Sequence, residues 1–144
     1  MDVVKSKKCN GMELEKENIK TGIIIAARWQ PFSLWKHYGI IVVEEGRAYI
    51  YDNDPDNPTN DSGGSVGKFE IRKWFERRRL LEYYDSGLRK EEIENEVKKT
   101  SKEKFSWIFF NCKDFIRKIT HTDHTTDFEL IDNIIYPDTK TKKI

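Results

Sequence analysis

Asn111-Cys112-Lys113-Asp114-Phe115 puts one of the chain's two cysteines at the head of a short amphipathic segment, NCKDFIRKIT. Asn111 is a good helix N-cap, because its side-chain oxygen can accept a first-turn N–H. Cys112 then falls in the first turn, where free N–H groups and the helix dipole favour thiolate, the reactive form of cysteine. Phe115, Ile116 and Ile119 recur at helical spacing and are expected to face a core. A thiolate that attacks carbon needs an imidazole to hold or take its proton, and a third polar group to orient that imidazole. His37 opens a β-branched run, HYGIIVV, and Asp52 closes a second, AYIYD, with Glu44-Glu45-Gly46-Arg47 between them. A glycine in a short polar break predicts a hairpin, and antiparallel pairing then brings His37 and Asp52 to the same end. Tyr51 and Asn53 compete with Asp52 for the third place, since a slip of one residue turns a side chain to the other face. The plainer account of Cys112 is a small buried hydrophobe.

HYGIIVVEEGRAYIYD, followed about 60 residues later by FSWIFFNCKDF, resembles the lecithin–retinol acyltransferase-like group. That group belongs to the circularly permuted branch of the NlpC-type, papain-like cysteine proteins. His37 matches the histidine that opens a strand in that group, and Cys112 matches its nucleophile. Phe105 stands where relatives often have tyrosine, and Ser62-Gly63-Gly64-Ser65-Val66 is similar to a glycine-containing loop of the family. Phe69 to Phe75 would be the short helix that follows. The likeness spans roughly residues 12 to 120. It departs at Lys113 and Asp114, where relatives often have glutamate and histidine. It also departs at Asp52, where the acyltransferase subgroup favours histidine and bacterial hydrolases an acid. The resemblance implies an α+β fold, a small antiparallel sheet of four to six strands with the Cys112 helix packed on it in the permuted papain-like order. It implies a thioester on Cys112, His37 as base, Asp52 orienting His37, and the Cys112 amide among the donors to the oxyanion. Trp35, Tyr38 and Asn111 are the expected substrate-binding residues, in the region that borders the family's cleft. The acyl donor is a small molecule, lipid ester or peptide-type amide, with no cofactor and no metal. The rivals are a non-catalytic binding module, using aromatics such as Trp29, Trp35 and Trp107, and a toxin or effector with the same chemistry inside a target cell.

The elements that must position these residues fit one domain over 12–137, with a frayed tail over 1–11 and a polar tail over 138–144. The chain has 144 residues, 35% of them charged, and a net charge of +1. That balance gives no electrostatic case for nucleic acid. Two cysteines make no disulfide framework. No signal-peptide h-region and no membrane-length apolar run is visible. A cytoplasmic protein is the expectation. Strands are predicted over 23–29, 38–43, 47–52 and 80–84. Helices are predicted over 69–77, with Ile71, Trp74 and Phe75 inward, and over 88–99 on the surface, with a last element over 127–136. Residues 53–67 form a turn-rich loop. Its Asp52, Asp54 and Asp56 lack the glycine and glutamate of a calcium loop, so a substrate-lining role is expected instead. Arg77-Arg78-Arg79 is expected at a solvated helix end, and His121 and His124 in a polar loop without a zinc ligand set.

Overall fold

A computed structural model describes residues 3–5, 13–15, 19–29, 36–106 and 110–121. Its elements are β1 (Val3–Lys5), β2 (Glu13–Glu15), β3 (Ile23–Trp29), β4 (Lys36–Glu44), β5 (Arg47–Asn53), β6 (Val66–Glu70), α1 (Ile71–Trp74) with a 3-10 turn (Phe75–Arg77), β7 (Arg78–Asp85), α2 (Lys90–Thr100) and α3 (Cys112–Thr120). The class is α+β. Five strands form one antiparallel sheet in the order β6-β5-β4-β3-β7, and β1 pairs with β2 separately.

The central strand β3 is apolar on both faces, as a strand covered on both sides must be. Ile24 and Ala26 join Tyr38, Ile40 and Val42 in a core with Ile93 of α2 and Phe115, Ile116 and Ile119 of α3. Ile23, Ile25 and Ala27 join Ile41, Ile50 and Leu80 in a second core, closed by Ile71, Trp74 and Phe75. Alternation along β4 therefore sends odd-numbered side chains toward α1 and even-numbered ones toward α2 and α3. Each fully buried Ile or Phe of α3 contributes about 1.5–3 kcal/mol relative to exposure, enough to hold a nine-residue helix that would not persist alone.

The β4–β5 hairpin turns through Glu45 and Gly46, both at positive φ, 50° and 80°. That pair matches the twist of the flanking strands, which is why two-residue turns of this hand are favoured. The resulting register sets Gly39 opposite Asp52. A Cβ on Gly39 would meet Ile50 Cγ2 at 2.6 Å and Trp74 Cζ2 at 3.4 Å. Glycine there lets the indole lie close to the sheet beside Asp52.

Several elements differ from expectation. Phe69 and Glu70 belong to β6, and the helix after them is a single turn, because strand pairing with Tyr49 and Ile50 outcompetes a short helix. Val3–Lys5, expected to be frayed, pairs with Glu13–Glu15. The charged helix α2 is more than a surface element, since Ile93 is wholly buried in the core beneath it. Residues 127–136 and the 138–144 tail lie outside the described residues, as do Trp35, Trp107 and His124. Among the described residues, no helix is long and apolar enough to cross a membrane.

Candidate active site

His37 is the second residue of β4 and is almost fully buried. Its ring stacks on Trp74, with centroids 5.7 Å apart and planes 22° from parallel. His37 Nε2 lies 2.8 Å from Asp52 Oδ2 and 3.4 Å from Asp54 Oδ2. The ring also hydrogen-bonds the Cys112 side chain. Nε2 is taken by the carboxylates, so Nδ1 is the nitrogen available to sulfur. Cys112 itself is half-buried, at the first position of α3.

The start of α3 is defined locally. Asn111 accepts from the Lys113 and Asp114 N–H groups, and Asp114 accepts from the Asn111 N–H, a reciprocal capping box. A cap of this kind contributes about 1 kcal/mol. Asn53 Nδ2 donates to the Phe110 carbonyl at 3.0 Å, which ties the end of β5 to the approach of α3. The loop between β5 and β6 is stitched to the same approach. Ser65 N–H donates to the Glu103 carbonyl at 3.0 Å, and a Cβ on Gly64 would run into the Ser101 and Glu103 carbonyl oxygens.

Asp52 is wholly buried and fully used. Besides His37 it accepts from Trp74 Nε1 at 2.7 Å and from Asn57 Nδ2 at 2.9 Å. Asp54 accepts from Arg78 at 3.0 Å, and Arg78 also donates to the Trp74 carbonyl and lies 4.6 Å over its indole. Burial pulls the His37 pKa down. The negative charge of Cys112, hydrogen bonds to Asp52 and Cys112, and the Asp52 charge outweigh it and push the pKa up to about 10. Burial pushes Asp52 up, but hydrogen bonding to His37 and its charge, then Asn57 and Trp74, hold it below the usual carboxylate range.

These shifts carry a sign. A raised His37 stabilises the fold fully below its unfolded pKa of about 6.5, and that contribution is lost as pH rises through about 10. Unfolding free energy is therefore expected to fall between about pH 6.5 and 10. Asp52 acts oppositely: its contribution is present above about 3.9 and lost in acid. Urea titrations across this range check it. An alkaline slope that persists unchanged in His37→Gln would refute the assignment.

His37, Asp52 and Cys112 therefore come together, with Asp52 rather than its neighbours on the imidazole. Asn53 is committed to Phe110 and Ser65, and Tyr51 packs against the core on the opposite face. Tyr38, next to His37 on the strand, points to the other face and is 0% exposed in the core beneath α3. The Asn111 side-chain oxygen caps α3, accepting from Lys113 and Asp114 N–H. Trp35 lies outside the described residues. His121 closes α3 in a left-handed conformation and meets Glu96 at 3.0 Å.

Three members of the cluster escape the sequence reading. Asp54 is visible only in hindsight, as the i+2 partner of Asp52. Trp74 looks like plain core, although a buried indole N–H demands an acceptor. Arg78 corrects the expectation of a solvated arginine run, since β7 carries it into the cluster. His37, Asp52 and Asp54 also bring three ligand-type atoms within 4.8 Å of one another. Their oxygens already face the Trp74 and Arg78 N–H groups, so the arrangement is that of a hydrogen-bonded charge network.

Comparison with protein-family models, with curated proteins and with solved structures finds no match.

Proposed function

We propose that the chain is a cysteine-dependent acyl-transfer enzyme of the permuted papain-like, lecithin–retinol acyltransferase-like kind. One observation supports it above the rest: a buried imidazole shared between a helix-N-terminal thiol and a buried carboxylate. That is the arrangement an activated sulfur nucleophile requires.

In this reading Cys112 sulfur attacks a carbonyl carbon, and the electron pair moves to oxygen. The oxyanion is met by N–H groups at the start of α3, the Cys112 amide among them. As the carbonyl re-forms, the carbon–leaving-group bond breaks, and imidazolium His37 gives its proton to the departing oxygen or nitrogen. The thioester is then opened by water or another acceptor, whose proton returns to His37. Asp52 holds the ring tautomer and balances its charge, as the orienting carboxylate does in such triads. Trp74 fixes the ring plane by stacking on one side while its N–H pins Asp52. Water as acceptor makes a hydrolase, and an alcohol or amine makes a transferase. A cytoplasmic setting, where thiols stay reduced, suits the chemistry.

The test is direct. Brief exposure to p-nitrophenyl acetate, followed by acid quench and peptide mass spectrometry, is expected to place a hydroxylamine-labile acetyl group on the Cys112 peptide. Cys112→Ala should release p-nitrophenol at the background rate. Acetylation spread over surface lysines, with Cys112 unmodified, would overturn the proposal.

A further inference from the structure

Asp54 follows the last residue of β5 and reaches the same imidazole nitrogen as Asp52. Its Oδ2 lies 3.4 Å from His37 Nε2 and 3.0 Å from Arg78 Nη2, so one oxygen stands between imidazole and guanidinium. Both partners are held. Asp54 Oδ1 accepts the Asp56 N–H at 2.8 Å, and the Asp54 carbonyl accepts the Asn57 N–H at 3.1 Å. Arg78 Nη1 donates to the Trp74 carbonyl at 2.9 Å, and its guanidinium lies over the indole on which His37 stacks. A planar fork of donors lets Arg78 serve the carbonyl and the carboxylate together. Asp54 is buried, and the Arg78 side chain is only 12% exposed. Orienting the ring needs one carboxylate, and Asp52 supplies it. The second carboxylate and its cation are left without a task.

The charged groups that face His37 among the described residues come from each side of it. Cys112 stands on α3, Asp52 on β5, Asp54 just beyond β5, and Arg78 on β7, where it also lies 4.0 Å from Asp52 Oδ2. Trp74 of α1 adds a ring and no charge. In a dry interior each of these charges changes the proton affinity of the imidazole strongly. His37 must hold a proton while the sulfur is free and yield it once the sulfur is bonded to carbon. Acylation removes the thiolate charge, and with it one cause that holds the proton. Two uncompensated carboxylates would go on holding it. Arg78 offsets one of them.

We infer that Asp54 and Arg78 are positioning residues for acyl transfer: Asp54 gives the His37 Nε2–H a second acceptor beside Asp52, and Arg78 fixes that carboxylate while offsetting its charge, so that Nδ1 can release its proton to the leaving group. In that step the Nδ1–H bond breaks, the departing oxygen or nitrogen gains the proton, and the ring becomes neutral. The inference rests on the acyl-transfer reading and extends its orienting group from one carboxylate to a carboxylate pair with a cation.

Ring-nitrogen-labelled histidine in the full chain tests it, because the chain has three histidines and His37→Gln assigns the signal. The protonation of His37 is followed by nitrogen NMR against pH. Asp54→Asn removes a carboxylate and leaves the cation, so it should lower the proton affinity of His37 at least about tenfold. Arg78→Gln does the reverse and should raise it. The double variant removes both charges and should return toward wild type, which loosened packing would not do. Arg78→Lys keeps the cation and should stay near wild type. Acetylation of Cys112 by two esters gives a second readout. p-Nitrophenolate departs without a proton, whereas the more basic phenolate of phenyl acetate needs one. Arg78→Gln should therefore slow phenyl acetate about tenfold more than p-nitrophenyl acetate. Should Arg78→Gln fail to fold, Asp54→Asn and Arg78→Lys decide by their own shifts. Single variants that move His37 in one direction, a double variant no nearer wild type, or an unmoved His37 in Asp54→Asn overturns the inference while leaving the thiol chemistry standing. A Cys112 that iodoacetamide alkylates slowly, with or without His37, defeats the acyl-transfer reading and this inference with it.

Discussion

His37→Ala is expected to leave acetyl-Cys112 intact long after the wild-type thioester has hydrolysed, with deacylation slowed by roughly 10²–10⁴-fold. The size of the effect separates two jobs of one imidazole. Alkylation by iodoacetamide needs only thiolate. Near pH 6 an ordinary thiol is about 0.3% ionised, and a stabilised thiolate is intrinsically less nucleophilic, so losing His37 should slow alkylation only about tenfold. Deacylation needs in addition a base for the incoming water, and His37 is placed to supply it, with the carboxylates behind the ring on Nε2. The decay of the acetyl peptide and the alkylation rate are measured side by side. Thioesters that disappear equally fast in wild type and variant would remove His37 from the chemistry, whatever its effect on alkylation.

Asp52→Ala is expected to cost the fold about 3–5 kcal/mol, the range for breaking a buried charge pair by removing one partner. The carboxylate has no exposed surface and takes three donors, from His37, Trp74 and Asn57. Its loss strands an imidazolium and an indole N–H in a dry interior, next to a second carboxylate that Arg78 already engages. For a domain of this size the thermal midpoint should fall by roughly 10 °C or more. Asp52→Asn should lose less, because an amide oxygen still accepts from Trp74, yet it should weaken the alkaline decline in stability that a raised His37 produces. A loss below about 1 kcal/mol in Asp52→Ala would mean that the site relaxes around the gap and that the pair does not hold the ring.

Local features carry the legible part of this molecule. The Asn111 cap and the Phe115, Ile116, Ile119 stripe specify α3 within ten residues, and the Glu45-Gly46 turn specifies the hairpin that aligns His37 with Asp52. What stays hidden depends on pairing across distance. Trp74 meets Asp52 over 22 residues and Arg78 meets Asp54 over 24, and neither contact leaves a periodic trace in the chain. The same blindness extends to faces and pairings. Tyr38 stands beside His37 in sequence but points to the other face of the sheet. Phe69 and Glu70 follow the pairing demands of β5 rather than the helical spacing of Ile71, Trp74 and Phe75.

The way the cluster is divided along the chain has a kinetic consequence. His37 and Asp52 share one tight hairpin, an element of the kind that closes on a microsecond scale and needs few distant contacts. Cys112 belongs to the last described helix, which can dock only on a sheet already assembled from β3, β4 and β5. On a ribosome the thiol leaves the exit tunnel after every strand it depends on. Until α3 seats, Cys112 is an ordinary sulfur on an unfinished chain and His37 an ordinary imidazole. Docking of α3 then acts as a built-in delay, with the reactive pair completed only once the scaffold that confines it is in place.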